Sequence, residues 1–223
     1  MTTAFRDRTE AGRLLAGKLA GFAGRPDVLV LGLPRGGMPV AYEVARALGV
    51  PLDVVVVRKL GVPGRKELAM GAIAPSGVRV LNEDVIQALH IPDRVIDAVA
   101  AREFRELERR ERAYRGERPA PAVRGRTVIL VDDGLATGST MRAAVAAMRR
   151  LGPDRIIVAV PTASPATCAE LRREADECLC VITPDPFHAI SLWYRDFCQT
   201  TDDEVRDLLE RSAAPAPAAC HGS

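Results

Sequence analysis

One stretch of thirteen residues, from Val128 to Thr140, constrains the fold of this chain more than any other. Four apolar residues lead directly into two adjacent carboxylates, Asp132 and Asp133, and a loop of small, hydroxyl-bearing residues follows. A short, uninterrupted apolar run is typical of a strand that is buried on both faces of a parallel sheet. The loop ends where a helical pattern begins, so its backbone N–H groups can bind an anion such as phosphate. The carboxylates suit hydroxyl groups, a cation or both, and the whole stretch predicts a pocket for a ribose 5-phosphate.

The segments on either side of this stretch alternate between strand and helix. Buried strands are predicted at 27–33, 52–57, 155–160 and 177–182, and helices at 7–22, 38–48, 140–151 and 164–175. This alternation predicts a doubly wound α/β fold with a parallel sheet of about five strands. A hairpin is predicted within 69–82, and Pro92 opens a long helix to about 115. A capping box at 201–204 begins a final helix to about 211.

The length of 223 residues fits one domain of this kind. We expect a single domain over residues 1–212, with an insertion at about 69–122. Residues 183–200 are predicted to be irregular. Residues 213–223 form an Ala/Pro-rich tail that is predicted to be disordered.

Composition excludes several classes of protein. The chain has 31 basic and 29 acidic residues, a near balance that argues against a nucleic-acid partner. Its apolar stretches are far shorter than the roughly 20 residues that a membrane span needs, and the N-terminus lacks the apolar core of a signal peptide. The five cysteines do not have the spacing of a disulfide framework or a zinc site, and Cys178 and Cys180 are predicted to pack inside a strand. These features predict a cytoplasmic protein without a membrane partner.

The stretch is not a Walker A motif, because no Lys follows Gly138. It is not a dinucleotide-binding fingerprint either, because the G-x-G-x-x-G spacing is absent. Instead it resembles the phosphoribosyl-pyrophosphate motif of the type I phosphoribosyltransferases, which has an apolar run, Asp-Asp, two spacers and Ala-Thr-Gly-Ser-Thr. The resemblance implies that Asp132 and Asp133 contact the ribose hydroxyls. It places the 5-phosphate on the residues of the following loop, which are Ala136, Thr137, Gly138, Ser139 and Thr140.

Two other segments carry the same resemblance, which covers about residues 27–182. Leu33–Gly37 resembles the family's pyrophosphate loop, which often holds a non-proline cis peptide bond, and the resemblance implies that Arg35, Gly36 and Gly37 contact the pyrophosphate. Arg58 and Lys59, followed by a Gly/Pro-rich segment, resemble the flexible catalytic loop, so a mobile lid is expected at 58–73. Phosphoribosyl pyrophosphate is a polyanion, which these cations would neutralise. A bound Mg²⁺ is expected, held by substrate oxygens with Asp132 and Asp133.

The acceptor is not fixed by these residues. The resemblance implies a variable hood over the sugar, which we assign to the C-terminal segment at about 183–200, with the hairpin within 69–82 and the N-terminal helix as alternatives. Ala136 stands where the 6-oxopurine transferases carry an acid that contacts the base, so the chain looks more like the adenine and orotate branches. Glu67 could supply a catalytic acid from the lid, or it could be a surface residue. Phe187, Trp193 and Tyr194 could stack on a flat acceptor, or they could pack the C-terminal segment on the core.

The resemblance implies a Mg²⁺-dependent glycosyltransferase of nucleotide metabolism, a pentosyltransferase. It would move 5-phosphoribosyl from phosphoribosyl pyrophosphate to a nitrogen nucleophile and release pyrophosphate. Family habit also implies a homodimer. A non-catalytic regulator that senses phosphoribosyl pyrophosphate is an alternative from another class, and an enzyme acting on another phosphosugar is a third.

Overall fold

The computed structural model describes residues 4–213, apart from the side chains of Lys66, Glu67 and Ser76. In chain order the elements are α1 (Arg8–Lys18), β1 (Val28–Gly32), α2 (Gly37–Leu48), β2 (Leu52–Val54), β3 (Arg58–Val62), β4 (Arg65–Ile73), β5 (Arg79–Leu81), α3 (Glu83–Ala88), α4 (Asp93–Arg115), β6 (Thr127–Val131), α5 (Ser139–Leu151), β7 (Arg155–Thr162), α6 (Pro165–Glu174), β8 (Glu177–Ile182) and α7 (Asp202–Ala213). Except for Ala213, the predicted Ala/Pro tail lies outside the described residues.

A parallel sheet forms the centre of the described part of the chain, with five strands in the order β2-β1-β6-β7-β8. Successive residues of β6 point to opposite faces of this sheet. Val128 and Leu130 pack in a cluster with α5 and α6, whereas Ile129 and Val131 pack with α1 and α2. Because both faces are covered by helices, every residue of β6 is buried, which explains its uninterrupted apolar sequence. The predicted doubly wound sheet of about five parallel strands is confirmed.

The predicted helix boundaries follow local capping chemistry. The Asp7 side chain accepts a hydrogen bond from the Glu10 backbone N–H at 2.8 Å and begins α1. The Thr201 N–H donates to the Glu204 side chain at 2.6 Å, and the Glu204 N–H donates to the Thr201 hydroxyl at 3.1 Å. This reciprocal pair is the predicted capping box, and it begins α7.

The segment at 58–73, which resembles a flexible loop in the sequence, is not irregular in the structure. These residues form β3 and β4, which pair antiparallel and join β5 in a second sheet. Leu60, Met70 and Ile73 are buried in a cluster with the apolar face of α4. These apolar positions are interspersed with basic residues, glycine and proline, so the sequence shows no clear strand pattern. Their burial against α4 stabilises the strands. The hairpin predicted within 69–82 is present as β4 and β5.

The irregular course of residues 183–200 is confirmed, apart from a short 3₁₀ helix at Ile190–Trp193. Phe5 pairs with Tyr194 through a single bridge, so this segment runs beside the N-terminal residues. Within residues 4–213, none of the helices has the length and apolar character that crossing a membrane requires.

Candidate functional site

Two loops leave the sheet side by side at the carboxyl ends of β1 and β6. These strands are parallel neighbours, and Gly32 is in register with Val131. The Leu33 N–H donates to the Val131 carbonyl at 2.8 Å, which keeps the loops together beyond the last residue pair. Ligands of open α/β sheets bind at this edge. The structure therefore brings the segments 33–37 and 132–140 to one place.

Glycine at positions 36 and 37 allows the two loops to touch. A Cβ atom on Gly36 would lie 2.1 Å from the Asp133 Oδ2 atom, and one on Gly37 would lie 2.8 Å from the Asp132 Cα atom. Any larger residue would push the loops apart. The Pro34–Arg35 peptide bond in the same loop is cis, as the resemblance implied.

The second loop offers hydrogen-bond donors to an anion. Gly138 has φ +67° and is the N-cap of α5, where it offers no side chain to the first N–H groups of the helix. The first N–H groups of α5 are therefore directed at the loop, where the hydroxyls of Thr137 and Ser139 lie 3.2 Å apart. Ala136 and Thr137 are exposed, and Ser139 and Thr140 are partly buried. The hydroxyl of Thr167 on α6 donates to the Ala136 carbonyl at 2.9 Å and so links the loop to α6.

The two carboxylates differ in surroundings. Asp133 is buried and Asp132 is partly buried. Burial raises the pKa of Asp132 well above its ordinary value, and the charge of Asp133 raises it further. Burial also raises the pKa of Asp133, although Arg8 acts in the opposite direction. The Asp132 Oδ1 atom accepts the Asp133 backbone N–H at 2.8 Å.

Arg8 is part of this site, and the sequence did not reveal it. Its guanidinium lies 2.8 Å from the Asp133 Oδ2 atom, and both side chains are 11% exposed. The guanidinium also lies 4.0 Å from the centroid of the Phe197 ring and donates to the Cys198 carbonyl at 2.7 Å. Arg8 stands 125 positions before Asp133, at the first position of α1. No local pattern distinguishes it from the arginines around it.

The three aromatic residues proposed for the acceptor are not equally accessible, and Tyr194 is the one with a contact to the acid pair. Tyr194 is buried, and its ring packs on Phe5 and Phe197 at centroid distances of 5.4 and 5.0 Å. Its hydroxyl donates to the Asp133 carbonyl at 2.6 Å. Tyr194 thus packs the C-terminal segment on the core, which was the alternative interpretation. Phe187 and Trp193 are partly buried, and they remain the candidates for acceptor contact.

The two cations assigned to the lid are consecutive in β3 but have different surroundings. Arg58 donates to Glu103 of α4 at 2.6 and 3.0 Å, so α4 holds its guanidinium. Lys59 is exposed and lines a cavity of about 540 Å³ together with Ser139 and Arg142 of α5. The side chain of Glu67 lies outside the described part of the structure.

Arg35, in the first loop, is exposed, and its guanidinium lies 4.0 Å from a carboxylate oxygen of Asp202 on α7. A pair this exposed contributes little to stability, so the guanidinium of Arg35 is free to turn towards an anion. Of the cations proposed from the sequence, Arg35 is the one that belongs to the two loops that meet at the sheet edge.

Comparisons with known proteins agree with this geometry. A family profile described as the phosphoribosyl transferase domain matches residues 7–194. Two relatives from Mycobacterium tuberculosis strains, Rv0571c and MT0597, are named provisionally as phosphoribosyl transferases; each is 49% identical over 208 residues, or 93% of this chain. The chain spans only 47% of the length of those relatives. The crystal structure of TT1426 from Thermus thermophilus is 44% identical, with a TM-score of 0.85, over 95% of this chain and 100% of that one.

Proposed function

Because the chain belongs to the phosphoribosyl transferase domain family, we propose that it moves a 5-phosphoribosyl group from phosphoribosyl pyrophosphate to a nitrogen nucleophile. We take the acceptor to be a nucleobase. The observation that carries this proposal is the contact of Gly36 and Gly37 with the acid pair, which joins two loops at one sheet edge. A substrate with phosphate at one end and pyrophosphate at the other needs two anion sites with a diol-binding group between them.

The acid pair has the capacity to bind two hydroxyl groups. Both contacts from Arg8 go to the Oδ2 atom of Asp133, and the Asp133 N–H goes to the Oδ1 atom of Asp132. Among the described residues, this leaves Asp133 Oδ1 and Asp132 Oδ2 without a hydrogen-bond donor. We assign these two oxygens to the two ribose hydroxyls, because each hydroxyl can donate one hydrogen bond.

In the proposed reaction the bond between C1′ of the ribose and the pyrophosphate oxygen breaks, and the bonding electrons leave with pyrophosphate. The lone pair of the acceptor nitrogen forms a bond to C1′ and neutralises the positive charge that develops on the ribose ring, and the nitrogen then releases its proton to solvent. Arg35 and the N–H groups of the loop at 33–37 would stabilise the leaving group. The loop at 136–140 would hold the 5-phosphate and orient the sugar.

A Mg²⁺ ion would fit the donors of this site. The available groups are carboxylate oxygens, which hard cations prefer, and Mg²⁺ commonly uses one or two of them with substrate oxygens. Asp133 is buried and paired with Arg8, whereas Asp132 is only partly buried and forms no ion pair among the described residues, so Asp132 offers the better carboxylate for the ion. The ion would neutralise part of the pyrophosphate charge.

The second candidate is a regulatory protein that binds phosphoribosyl pyrophosphate without turning it over. The observation that favours it is the pairing of Arg58 with Glu103, since this ion pair engages one of the two cations assigned to catalysis. An enzyme would have to break this pair or work without Arg58.

Compartment and assembly are further parts of the proposal. The four cysteines within the described residues carry free thiols, which suits the reducing cytoplasm that we propose. We also propose a homodimer, because members of the family commonly form one. Sedimentation that shows a monomer at working concentration would refute the proposed dimer.

The test is pyrophosphate release with Mg²⁺ and a panel of bases that includes adenine and orotate, alongside calorimetric binding of phosphoribosyl pyrophosphate. Turnover with one base would support the transferase and identify its branch. Tight binding without turnover on any acceptor would favour the regulator.

The ribose assignment has its own test. The double variant Asp132→Asn/Asp133→Asn should lose binding of phosphoribosyl pyrophosphate. Asp154→Asn is the matched control, because this exposed acid precedes β7 at the opposite edge of the sheet. Unchanged binding in the double variant would refute the assignment.

A further inference from the structure

Three thiols from two elements meet beside the phosphate loop. Cys168 lies on α6, and Cys178 and Cys180 occupy alternate positions of β8, on one face of the strand. Their three sulfur atoms all lie within 4.8 Å of one another. Cys168 and Cys178 are buried, whereas Cys180 is partly exposed. The sequence predicted only packing for the two strand cysteines, because nothing in their spacing indicates that a helical cysteine ten positions earlier faces them.

We propose that the cluster of Cys168, Cys178 and Cys180, called here the thiol cluster, binds one soft, thiophilic metal ion. Thiolate is the protein ligand that soft ions prefer. Zinc–thiolate bonds are about 2.3 Å long, so three sulfurs around one ion lie roughly 4 Å apart. That separation falls within the observed limit of 4.8 Å, and small side-chain rotations would complete the geometry.

The burial of the thiol cluster suits an ion that enters from one side. The exposed part of Cys180 provides a path from solvent, and the two buried thiols close the inner side. No His, Asp or Glu of the described residues joins the group, so the ion would be three-coordinate or would bind one solvent or small-molecule ligand. A site with three protein ligands and an open position is chemically distinct from closed structural sites with four.

Metal binding would replace thiol protons. Each of the three S–H groups would release its proton to solvent as a metal–sulfur bond forms. Hydrogen bonds from Cys178 and Cys180 lower the pKa of Cys168, and the charge of Arg172, one turn further along α6, acts in the same direction. The charge of the incoming ion would offset the cost of ionising the three thiols.

The thiol cluster is connected to the site of the proposed reaction. Thr167, which donates to the Ala136 carbonyl at 2.9 Å, immediately precedes Cys168. A Cβ atom on Gly138 would lie 2.8 Å from the Thr167 Cγ2 atom, so α6 and the phosphate loop are in close contact. An ion that joins α6 to β8 would fix the position of Thr167. We therefore expect metal loading to raise the melting temperature of the protein.

Cd²⁺ is the probe for this proposal, because its bonds to thiolate give an ultraviolet charge-transfer band. The reduced, metal-stripped full chain should bind one equivalent of Cd²⁺ and develop this band, with affinity set by competition against a chelator. Cys178→Ser and Cys180→Ser should each weaken Cd²⁺ binding by more than about 100-fold. Loss of a group that only orients a metal ligand costs about 10- to 100-fold, so loss of a ligand itself should cost more. The Cys198→Ser control should bind like the wild type, because Cys198 is exposed and outside the thiol cluster.

Absence of the band in the folded wild type would overturn the proposal. Equal binding by Cys178→Ser and Cys180→Ser would do the same, since it would place the ion elsewhere. If Cys178→Ser does not fold, Cd²⁺ binding by Cys180→Ser decides the test, because Cys180 is partly exposed and its substitution should disturb the fold less. Circular dichroism and the melting temperature of each variant report folding. None of these measurements involves phosphoribosyl pyrophosphate, so the metal-binding proposal can fail while the proposed function holds, and the reverse.

Discussion

Replacing Arg8 with alanine would leave the carboxylate of Asp133 buried without its counter-ion. In the wild type, the guanidinium contacts the Asp133 Oδ2 atom at 2.8 Å, and both side chains are 11% exposed. Arg8 also packs over the Phe197 ring and binds the Cys198 carbonyl, so alanine would remove the link between α1 and residues 197–198. We therefore expect Arg8→Ala to destabilise the fold and the site together.

The expected magnitude follows from the burial of the pair. Removing one partner of a buried ion pair costs about 3–5 kcal/mol. Burial already raises the pKa of Asp133, so this carboxyl can avoid part of the cost by taking up a proton. We therefore expect the lower end of that range, about 3 kcal/mol. In a domain of this size each kcal/mol lowers the melting temperature by about 2–4 °C, which gives a decrease of roughly 6–12 °C.

The loss should depend on pH in a defined direction. Without Arg8 the pKa of Asp133 rises further above its value in the unfolded chain. Between those two values the folded state binds more protons than the unfolded state, so stability falls as pH rises. At low pH Asp133 is protonated in both proteins and Arg8 contributes little to the charge balance. The difference between wild type and variant should therefore be larger at pH 8 than at pH 5.

The assay is thermal unfolding followed by circular dichroism at several pH values. Arg13→Ala is the matched control, because Arg13 lies on the same helix and its pair with Glu43 is exposed on the arginine side. Glu43 also keeps Arg46 at 2.7 Å in that variant. Because the guanidinium of Arg13 is 57% exposed and Glu43 keeps a second cation, Arg13→Ala should have a small effect, about 0.2–1 kcal/mol.

The double variant Arg8→Ala/Asp133→Asn separates charge from packing. Removing the carboxylate charge should recover most of the stability that Arg8→Ala loses. Equal losses for Arg8→Ala and Arg13→Ala, or no recovery in the double variant, would refute the electrostatic reasoning. Tighter binding of phosphoribosyl pyrophosphate by Arg8→Ala would show instead that Arg8 competes with the substrate for Asp133.

Three further predictions concern other positions. Asp132→Asn should raise the free energy of unfolding by about 1.4 kcal/mol for each unit by which burial raises the pKa of Asp132, and with it the melting temperature. The gain should grow from pH 4 to pH 8, because burial penalises the ionised form of Asp132. Gly36→Ala should weaken calorimetric binding of phosphoribosyl pyrophosphate by about 100-fold, because its Cβ atom would displace Asp133, whereas Gly17→Ala, which meets nothing within 4 Å, should leave binding unchanged. Thr201→Ala should cost about 1 kcal/mol in denaturant unfolding through loss of the capping box, without changing substrate affinity.

The elements of the main sheet and the phosphate loop were predictable because their signals are local. An uninterrupted apolar run marks β6, and small residues followed by a helical pattern mark the loop and α5. Each signal lies within a dozen consecutive residues, so periodicity and turn chemistry are enough to read it. The family followed from the same stretch. The strands at 58–73 were missed because their apolar residues are interspersed with basic residues and glycines, and packing on α4 decides their conformation.

The sequence by itself determined the order of the elements and the chemistry of the loop at 132–140. Only the tertiary structure decided which side chains accompany that loop. Arg8 reaches Asp133 across 125 positions, Arg58 pairs with Glu103 across 45, and Cys168 meets two cysteines of a neighbouring strand. Such contacts depend on how the chain returns to the sheet edge, because side chains far apart in sequence meet only when burial of the core fixes both of their elements.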